Sequence, residues 1–329
     1  MKRVGNLMPA ITEMDNIRLA WLKTIRGKQF QPHVRRFGEN LDANLSRIAK
    51  ELIFQTFHFG RLSSFVIHDP KERIIYVAPL RDRIVQHAMM NICEPVFERY
   101  QINGSYACRK GKGQFSALDQ AIFNSRRTDW YLKLDIHKYF NSISHEILKK
   151  LLFRLFKDNR LLDILNDLID SHYIQLGHGI PIGNLTSQYF ANHYLGVLDH
   201  YIKEQLGVRY YVRYMDDFVL WSNNRKKLLT YLTHIQKFLE TQLDLSLNPP
   251  CMNRTSAGMS YLGYRVTPIG LRLSHRSRYR MRRKYKKMMN YYQTGVWTED
   301  ELARHLEPLF EHAKHASSQA FRLRVLNEG

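Results

Sequence analysis

The sequence predicts an α+β fold, because helix-periodic stretches alternate with short apolar runs that read as antiparallel hairpins. Hydrophobic residues make up 44% of the chain, enough for a packed core and outside the disordered class. The 329 residues exceed what one compact pair of layers needs and fit two or three subdomains.

The elements follow in order. Residues 10–60 carry helical spacing, with Ile11, Met14 and Ile17–Leu19 in one stretch and Leu41, Leu45, Ile48 and Leu52 in the next. Phe65-Val66-Ile67 and Arg73-Ile74-Ile75-Tyr76-Val77 read as strands joined by the basic tip Asp69-Pro70-Lys71-Glu72. A helix from Arg81 to Glu98 follows Pro79. Residues 130–135 read as a strand, followed by a turn and helical material to residue 170. The loop Gly177-His178-Gly179-Ile180-Pro181-Ile182-Gly183 leads into a helix over Leu185–Leu206. Residues 209–214 and 217–221 are apolar strands flanking Met215-Asp216, and a helix covers 225–242. Tyr261-Leu262-Gly263-Tyr264-Arg265-Val266 reads as one short strand, and the tail from residue 274 is helical.

Charge narrows the function. Fifty Lys and Arg against thirty Asp and Glu give a formal +20 and a pI of about 9.8. Such an excess suits a polyanion, whose phosphates release counterions when neutralised. From Arg272 to Lys287 there are nine Lys or Arg and no acid, with Tyr279 and Tyr285 interleaved. A helix of Arg276, Arg278, Arg280, Arg282, Arg283, Lys284, Lys286 and Lys287 has no i,i+4 acids to offset self-repulsion and suits a duplex backbone. No run of about 18 apolar residues and no secretory h-region occur, so no membrane association is expected. Cys93, Cys108 and Cys251 lie far apart, which implies neither a disulfide framework nor a zinc site and fits a reducing cytoplasm. His305, His312 and His315 are expected to be exposed helix positions rather than metal ligands.

Two segments carry the chemistry. Tyr131-Leu132-Lys133-Leu134-Asp135 is an apolar strand ending in an acid. Residues 209–220 form a hydrophobic hairpin with Asp216 and Asp217 at its turn. Acids beside such strands are costly to bury without a partner, and divalent cations would supply one. Phosphoryl transfer from a nucleotide uses two Mg²⁺ ions, which take hard oxygen ligands; Mn²⁺ is an alternative. Side chains of adjacent strand residues point to opposite faces, so Asp216 and Asp217 need a turn to face one site, or else one serves as ligand and the other as support.

Tyr214-Met215-Asp216-Asp217 resembles the YxDD box of reverse transcriptases, and Asp135 in Leu134-Asp135-Ile136-His137-Lys138-Tyr139-Phe140 resembles the family's first catalytic motif. The resemblance spans residues 60–270 with a thumb beyond. It implies a right-hand polymerase: an N-terminal helical extension (1–60), fingers with early palm (61–130), palm (131–270) and a basic helical thumb (271–329). It implies RNA-directed DNA synthesis with Asp135, Asp216 and Asp217 as catalytic metal ligands. Lys71, Arg73 and Arg83 would clamp the incoming dNTP, since Arg makes bidentate phosphate contacts. Ile136, Ile182 and Gly183 would line the same dNTP site. Phe140 would collide with a 2′-hydroxyl and so select dNTPs. Tyr261, Leu262, Gly263 and Tyr264 resemble the primer grip, where Gly263 permits close backbone approach. The stretch 245–254 lacks the Lys that intron-type enzymes often place there, so no general acid is named.

Within the family, Ile182 stands where intron and retron enzymes carry Gln, and Gln188, a candidate nucleic-acid contact, stands where they carry Pro. Both departures are similar to reverse transcriptases of diversity-generating retroelements, of phage or bacterial type. That resemblance implies copying of a template-repeat RNA with errors at template adenines for mutagenic retrohoming. The implied partners are the RNA/cDNA duplex, dNTPs and a basic, oligomeric accessory variability determinant protein. Other readings are a retron, intron-derived or phage-defence reverse transcriptase, or an inactive RNA-binding scaffold.

Overall fold

The computed structural model describes residues 2–68 and 72–327. They form two compact units that exchange segments along the chain. One comprises Met1–Arg109, Asp135–Gly207 and Thr233–Asn248; the other comprises Lys110–Leu134, Val208–Leu232 and Pro249–Gly329. No helix among the described residues is long and apolar enough to cross a membrane.

The first unit is mainly helical. Its N-terminal residues form α1 (Met8–Thr12), α2 (Met14–Ile25), α3 (Pro32–Gly38) and α4 (Leu41–Ile53). The spacing seen in the sequence explains them: Ile11, Ile17, Leu45, Ile48 and Leu52 are all fully buried. The hairpin β1 (Ser63–Ile67) and β2 (Arg73–Val77) follows, in register from Ser63↔Val77 to Ile67↔Arg73. Helix α5 (Leu80–Tyr100) packs against α2. Three further helices of this unit are α7 (Tyr139–Ser142), α8 (His145–Leu155) and α9 (Asn159–Asp170). Asp158 links two helix starts. Its carboxylate accepts from Leu161 N at 3.4 Å and from Leu7 N at 2.7 Å, so one acid satisfies donors that a helix terminus leaves open. Helix α10 (Leu185–His200) is buried on nearly every side and continues as a π-turn over Tyr201–Gln205, so the expected helix to Leu206 changes winding after His200. Its Tyr194 hydroxyl donates to Leu243 O at 2.6 Å, which ties in the end of α11 (Arg225–Leu243).

The second unit holds two antiparallel sheets. Between Lys110 and Leu134 a helix that periodicity left unassigned, α6 (Gln114–Ser125), packs on the first sheet, and Trp221 Nε1 donates to Ser125 Oγ at 3.1 Å. That sheet has the order β4-β5-β3-β6, from β3 (Trp130–Asp135), β4 (Tyr210–Tyr214), β5 (Asp217–Ser222) and β6 (Cys251–Arg254). Strands β4 and β5 pair from Tyr210↔Trp221 to Tyr214↔Asp217, leaving a two-residue turn. The second sheet contains β7 (Met259–Tyr261), β8 (Tyr264–Thr267) and β9 (Gly270–Leu273).

The segment expected to be one strand over Tyr261–Val266 is therefore a hairpin. Leu262 and Gly263 turn it with φ of 47° and 86°. Leucine rarely adopts that conformation, so only Gly263 signalled a turn in the sequence. Helices α12 (His275–Gln293), α13 (Glu299–Lys314) and α14 (Gln319–Leu326) complete the unit. Ser277, Met281 and Tyr285 give α12 its buried face at a four-residue spacing, while Arg276, Arg278, Arg283, Lys284, Lys286 and Lys287 are exposed. Tyr285 thus belongs to the core and only Tyr279 accompanies the exposed cations.

Candidate active site

Asp135 closes β3 and is half-buried. Asn248 holds it twice: the backbone N–H donates to Asp135 O at 2.8 Å and Nδ2 donates to Asp135 Oδ2 at 2.7 Å. A side-chain amide with a fixed backbone leaves the carboxylate little rotamer freedom. Asn248 carries no local signal of this role, because its partner Asp135 lies 113 residues away. Ile136 is 1% exposed, so a nucleotide could meet its backbone but not its side chain. Phe140 lies on α7, half-buried, edge-on to Tyr139 at 5.7 Å; its carbonyl accepts from Ile180 N at 2.9 Å.

Asp216 occupies the β4–β5 turn and Asp217 is the first residue of β5. Met215 enters the turn at φ 56°, a left-handed conformation that costs a non-glycine residue about 1–2 kcal/mol. Arg213, whose side chain is fully buried, donates from Nη1 to Met215 O at 3.1 Å and so holds the strained peptide. The Lys133 ammonium lies 3.1 Å from Asp217 Oδ2, with side-chain exposures of 25% and 19%. Strand β3 itself thus supplies Asp217 with a cationic partner. The Tyr261 hydroxyl lies 3.5 Å from the Asp217 carbonyl, which puts the first residue of the expected primer grip beside the acidic hairpin.

The donor chemistry of Asp135, Asp216 and Asp217 fits a hard divalent cation such as Mg²⁺, which takes carboxylate oxygens and keeps waters. Among the described residues, no three His, Cys, Asp or Glu side chains are already gathered as a metal-holding group.

The elements expected to meet the nucleotide are tied together in the first unit. Tyr76 N donates to Ile182 O at 2.7 Å, which fixes the Ile182 loop to β2. Gly183 has φ 117°, and a Cβ there would lie 2.5 Å from Tyr76 O, so the contact requires glycine. Ile182 is half-buried and Gln188 is half-buried on α10. Arg73 is exposed at the start of β2, opposite Ile67. Lys71 lies outside the described residues. Arg83 lies beside α3: its Nη2 is 3.5 Å from His33 Nε2, and burial pulls its pKa down.

The expected primer grip is held from several directions. Gln114 Nε2 donates to Leu262 O at 2.7 Å, and Ser277 Oγ donates to Gly263 O at 2.6 Å. The Tyr264 hydroxyl donates to His312 O at 2.8 Å and lies 3.0 Å from His312 Nδ1, while burial pushes its pKa up to about 12. Of the three tail histidines, His305 stacks on Trp297 at 4.3 Å and His315 on Phe115 at 3.6 Å. All three are exposed, His305 and His312 within α13 and His315 just past its end, and each has an aromatic partner. Among the basic residues of α12, Arg280 and Arg282 are half-buried, and Arg282 sits over the Phe321 ring at 5.4 Å.

Residues 68–266 match the family model "Reverse transcriptase (RNA-dependent DNA polymerase)". The chain is 26% identical over 217 residues to the putative COX1/OXI3 intron 1 protein of Saccharomyces cerevisiae, covering 62% of this chain and 26% of that one. It therefore spans about a quarter of that relative's length. It is 27% identical over 274 residues to protein YkfC of Escherichia coli, covering 68% of this chain and 70% of that one. Apo telomerase from Candida tropicalis shares the fold, with a TM-score of 0.50 at 11% identity over 82% of this chain and 61% of that one. The fold class is the α+β right-hand polymerase class expected from the sequence. With more than half of its length matched, the chain belongs to the reverse transcriptase family.

Proposed function

We propose that this polymerase copies a template-repeat RNA into cDNA with errors concentrated opposite template adenines, as reverse transcriptases of diversity-generating retroelements do for mutagenic retrohoming. The observation that carries the reading is Ile182, whose carbonyl is bonded to β2 and whose side chain has no donor or acceptor where related enzymes carry Gln. Fidelity is a difference between transition-state energies, and losing a polar contact that favours the right base narrows it; about 1.4 kcal/mol is tenfold.

In this reading Asp135, Asp216 and Asp217 are the carboxylates of the polymerase centre. Two divalent cations held there, Mg²⁺ or Mn²⁺, would lower the charge cost of the primer 3′-hydroxyl's attack and of pyrophosphate departure. Asn248 keeps the Asp135 carboxylate in one rotamer, and Lys133 carries the charge balance of Asp217. Phe140 excludes a 2′-hydroxyl, Arg73 pairs with the triphosphate, and Gly183 brings the Ile182 loop against β2. Tyr261, Leu262, Gly263 and Tyr264 align the primer end. The exposed cations of α12 follow the RNA/cDNA duplex, and Gln188 meets nucleic acid. A basic, oligomeric accessory protein would join through RNA in a cytoplasmic complex, since two basic chains repel directly.

The test is Ile182→Gln in the full chain, with sequencing of cDNA made on an adenine-containing RNA. A severalfold fall in adenine errors, with other errors unchanged, supports the reading; an unchanged adenine error rate rejects it. The likeness to a yeast intron protein favours a second reading, an intron-derived reverse transcriptase. That reading expects low, base-independent error rates in the unsubstituted enzyme.

A further inference from the structure

The loop that carries Ile182 is bonded on both of its sides. On one side the Ile182 carbonyl accepts from Tyr76 N of β2 at 2.7 Å. On the other, residues 177–180 lie along the segment that runs from α7 into α8. Ile180 N donates to Phe140 O and Gly179 N donates to Ile143 O, both at 2.9 Å, and His145 N donates to Gly177 O at 2.9 Å. Phe140 and the Ile182 loop therefore belong to one hydrogen-bonded frame, inside a single compact unit.

His145 adds a side-chain bond to this frame. It is the first residue of α8 and is buried. Its Nε2 lies 2.8 Å from Gly179 O. A carbonyl only accepts, so Nε2 carries the proton. The other ring nitrogen, Nδ1, faces Asp170 Oδ1 at 3.6 Å. Asp170 ends α9 and also accepts from Lys149 Nζ, one turn after His145 on α8, at 2.7 Å. A carbonyl at one ring nitrogen and an acid near the other leave the imidazole one orientation. Backbone and ring of His145 thus hold two carbonyls, Gly177 and Gly179, on either side of His178. His178 itself pairs with Asp244, just past α11, at 2.9 Å.

We propose that His145 is a positioning residue for nucleotide selection: by holding Gly179 O it sets the spacing between the Ile182 loop and Phe140, and with it how closely the site fits a 2′-deoxy sugar. It acts through Gly179 and not on the nucleotide. Exclusion by an aromatic wall works only while the wall cannot yield, and small displacements of positioning groups are costly in rate. Without the imidazole, the buried Gly179 carbonyl loses this donor and the loop is free to relax away from α7. The inference rests on the reading of Phe140 and Ile182 as dNTP contacts. It does not depend on which retroelement the enzyme serves.

The test uses the full chain with His145→Asn and His145→Gln. Both put an amide in place of the ring, but only the longer Gln can set its nitrogen where Nε2 lies. Hydrogen exchange over residues 177–183 reads the brace without turnover. His145→Asn is expected to speed that exchange about tenfold, and His145→Gln to restore it. In steady-state primer extension His145→Asn is expected to raise the dNTP KM about tenfold and to lower the preference for dNTP over rNTP severalfold. The primer–template KM stays at the parental value, and His145→Gln returns the nucleotide parameters to near parental. If His145→Asn does not fold, Asp170→Ala at an exposed side chain frees the same ring and is expected to raise the dNTP KM about twofold; a parental value there overturns the proposal. Parental exchange in a folded His145→Asn overturns the brace. Faster exchange with parental dNTP KM and sugar preference overturns its role in nucleotide selection. A parental chain that extends no primer overturns the polymerase reading and the proposed role with it, while exchange still reports the brace.

Discussion

The Lys133 ammonium sits 3.1 Å from the Asp217 carboxylate, so the acid that opens β5 is neutralised by a residue of the neighbouring strand. Any divalent cation recruited by Asp217 competes with that ammonium. Lys133→Gln is therefore expected to lower, severalfold, the Mg²⁺ concentration that half-saturates primer extension. The cost in stability is about 1 kcal/mol or less, because the pair is partly solvated. An unchanged or raised Mg²⁺ requirement would show that Lys133 does not compete for this carboxylate.

Gly183 tests the tie between β2 and the Ile182 loop. Alanine there must accept φ near 117° and a Cβ 2.5 Å from Tyr76 O, so the loop has to shift. The expected result for Gly183→Ala is a dNTP KM raised about tenfold, near 1.4 kcal/mol, with primer–template affinity unchanged. Steady-state titrations of each substrate distinguish the two, and a variant with parental dNTP KM would refute the coupling.

The Leu262-Gly263 turn is held by Gln114 and Ser277 through its two carbonyls. Each bond contributes about 1 kcal/mol net. Gln114→Ala and Ser277→Ala should each raise the primer–template KM about fivefold while the dNTP KM stays put. Ser277→Thr, which keeps the hydroxyl, should restore the parental value. Loss of kcat alone in the alanine variants would mean that the turn does not serve the primer.

His193 supplies a pH test of the first unit. Burial is the main cause that lowers its pKa from 6.5 to about 4, and its Nδ1 has no partner among the described residues. Native His193 therefore stays neutral where the unfolded chain binds a proton. Its contribution to stability is complete above pH 6.5 and is lost as pH falls toward about 4, by about 1.4 kcal/mol per unit within the window. Urea midpoints measured through this range should fall with acid and flatten in His193→Gln. An equally steep fall in the variant would assign the acid sensitivity elsewhere.

What the sequence could reveal follows the range of the forces involved. Ile11, Leu45 and the strand pairs around Asp216 repeat at short period, so helices and hairpins were readable locally. Asp135 and Asp216-Asp217 were readable because acids next to apolar strands are rare without a purpose. The turn at Leu262 was not, since a leucine at φ 47° is held through its carbonyl by Gln114, 148 residues away. Asn248 was not legible locally, because its partner lies 113 residues away. The direction of the Arg83 guanidinium depends on where α3 packs, which no local pattern states.

The most direct test of the central claim is single-turnover extension of a DNA primer on an RNA template, with dNTPs and Mg²⁺, comparing the parental chain with Asp216→Asn. The parental enzyme should extend the primer, and the variant should lose about a thousandfold or more in rate while binding the primed template with parental affinity. Equal extension by the two would contradict the assignment of the acidic turn as the polymerase centre.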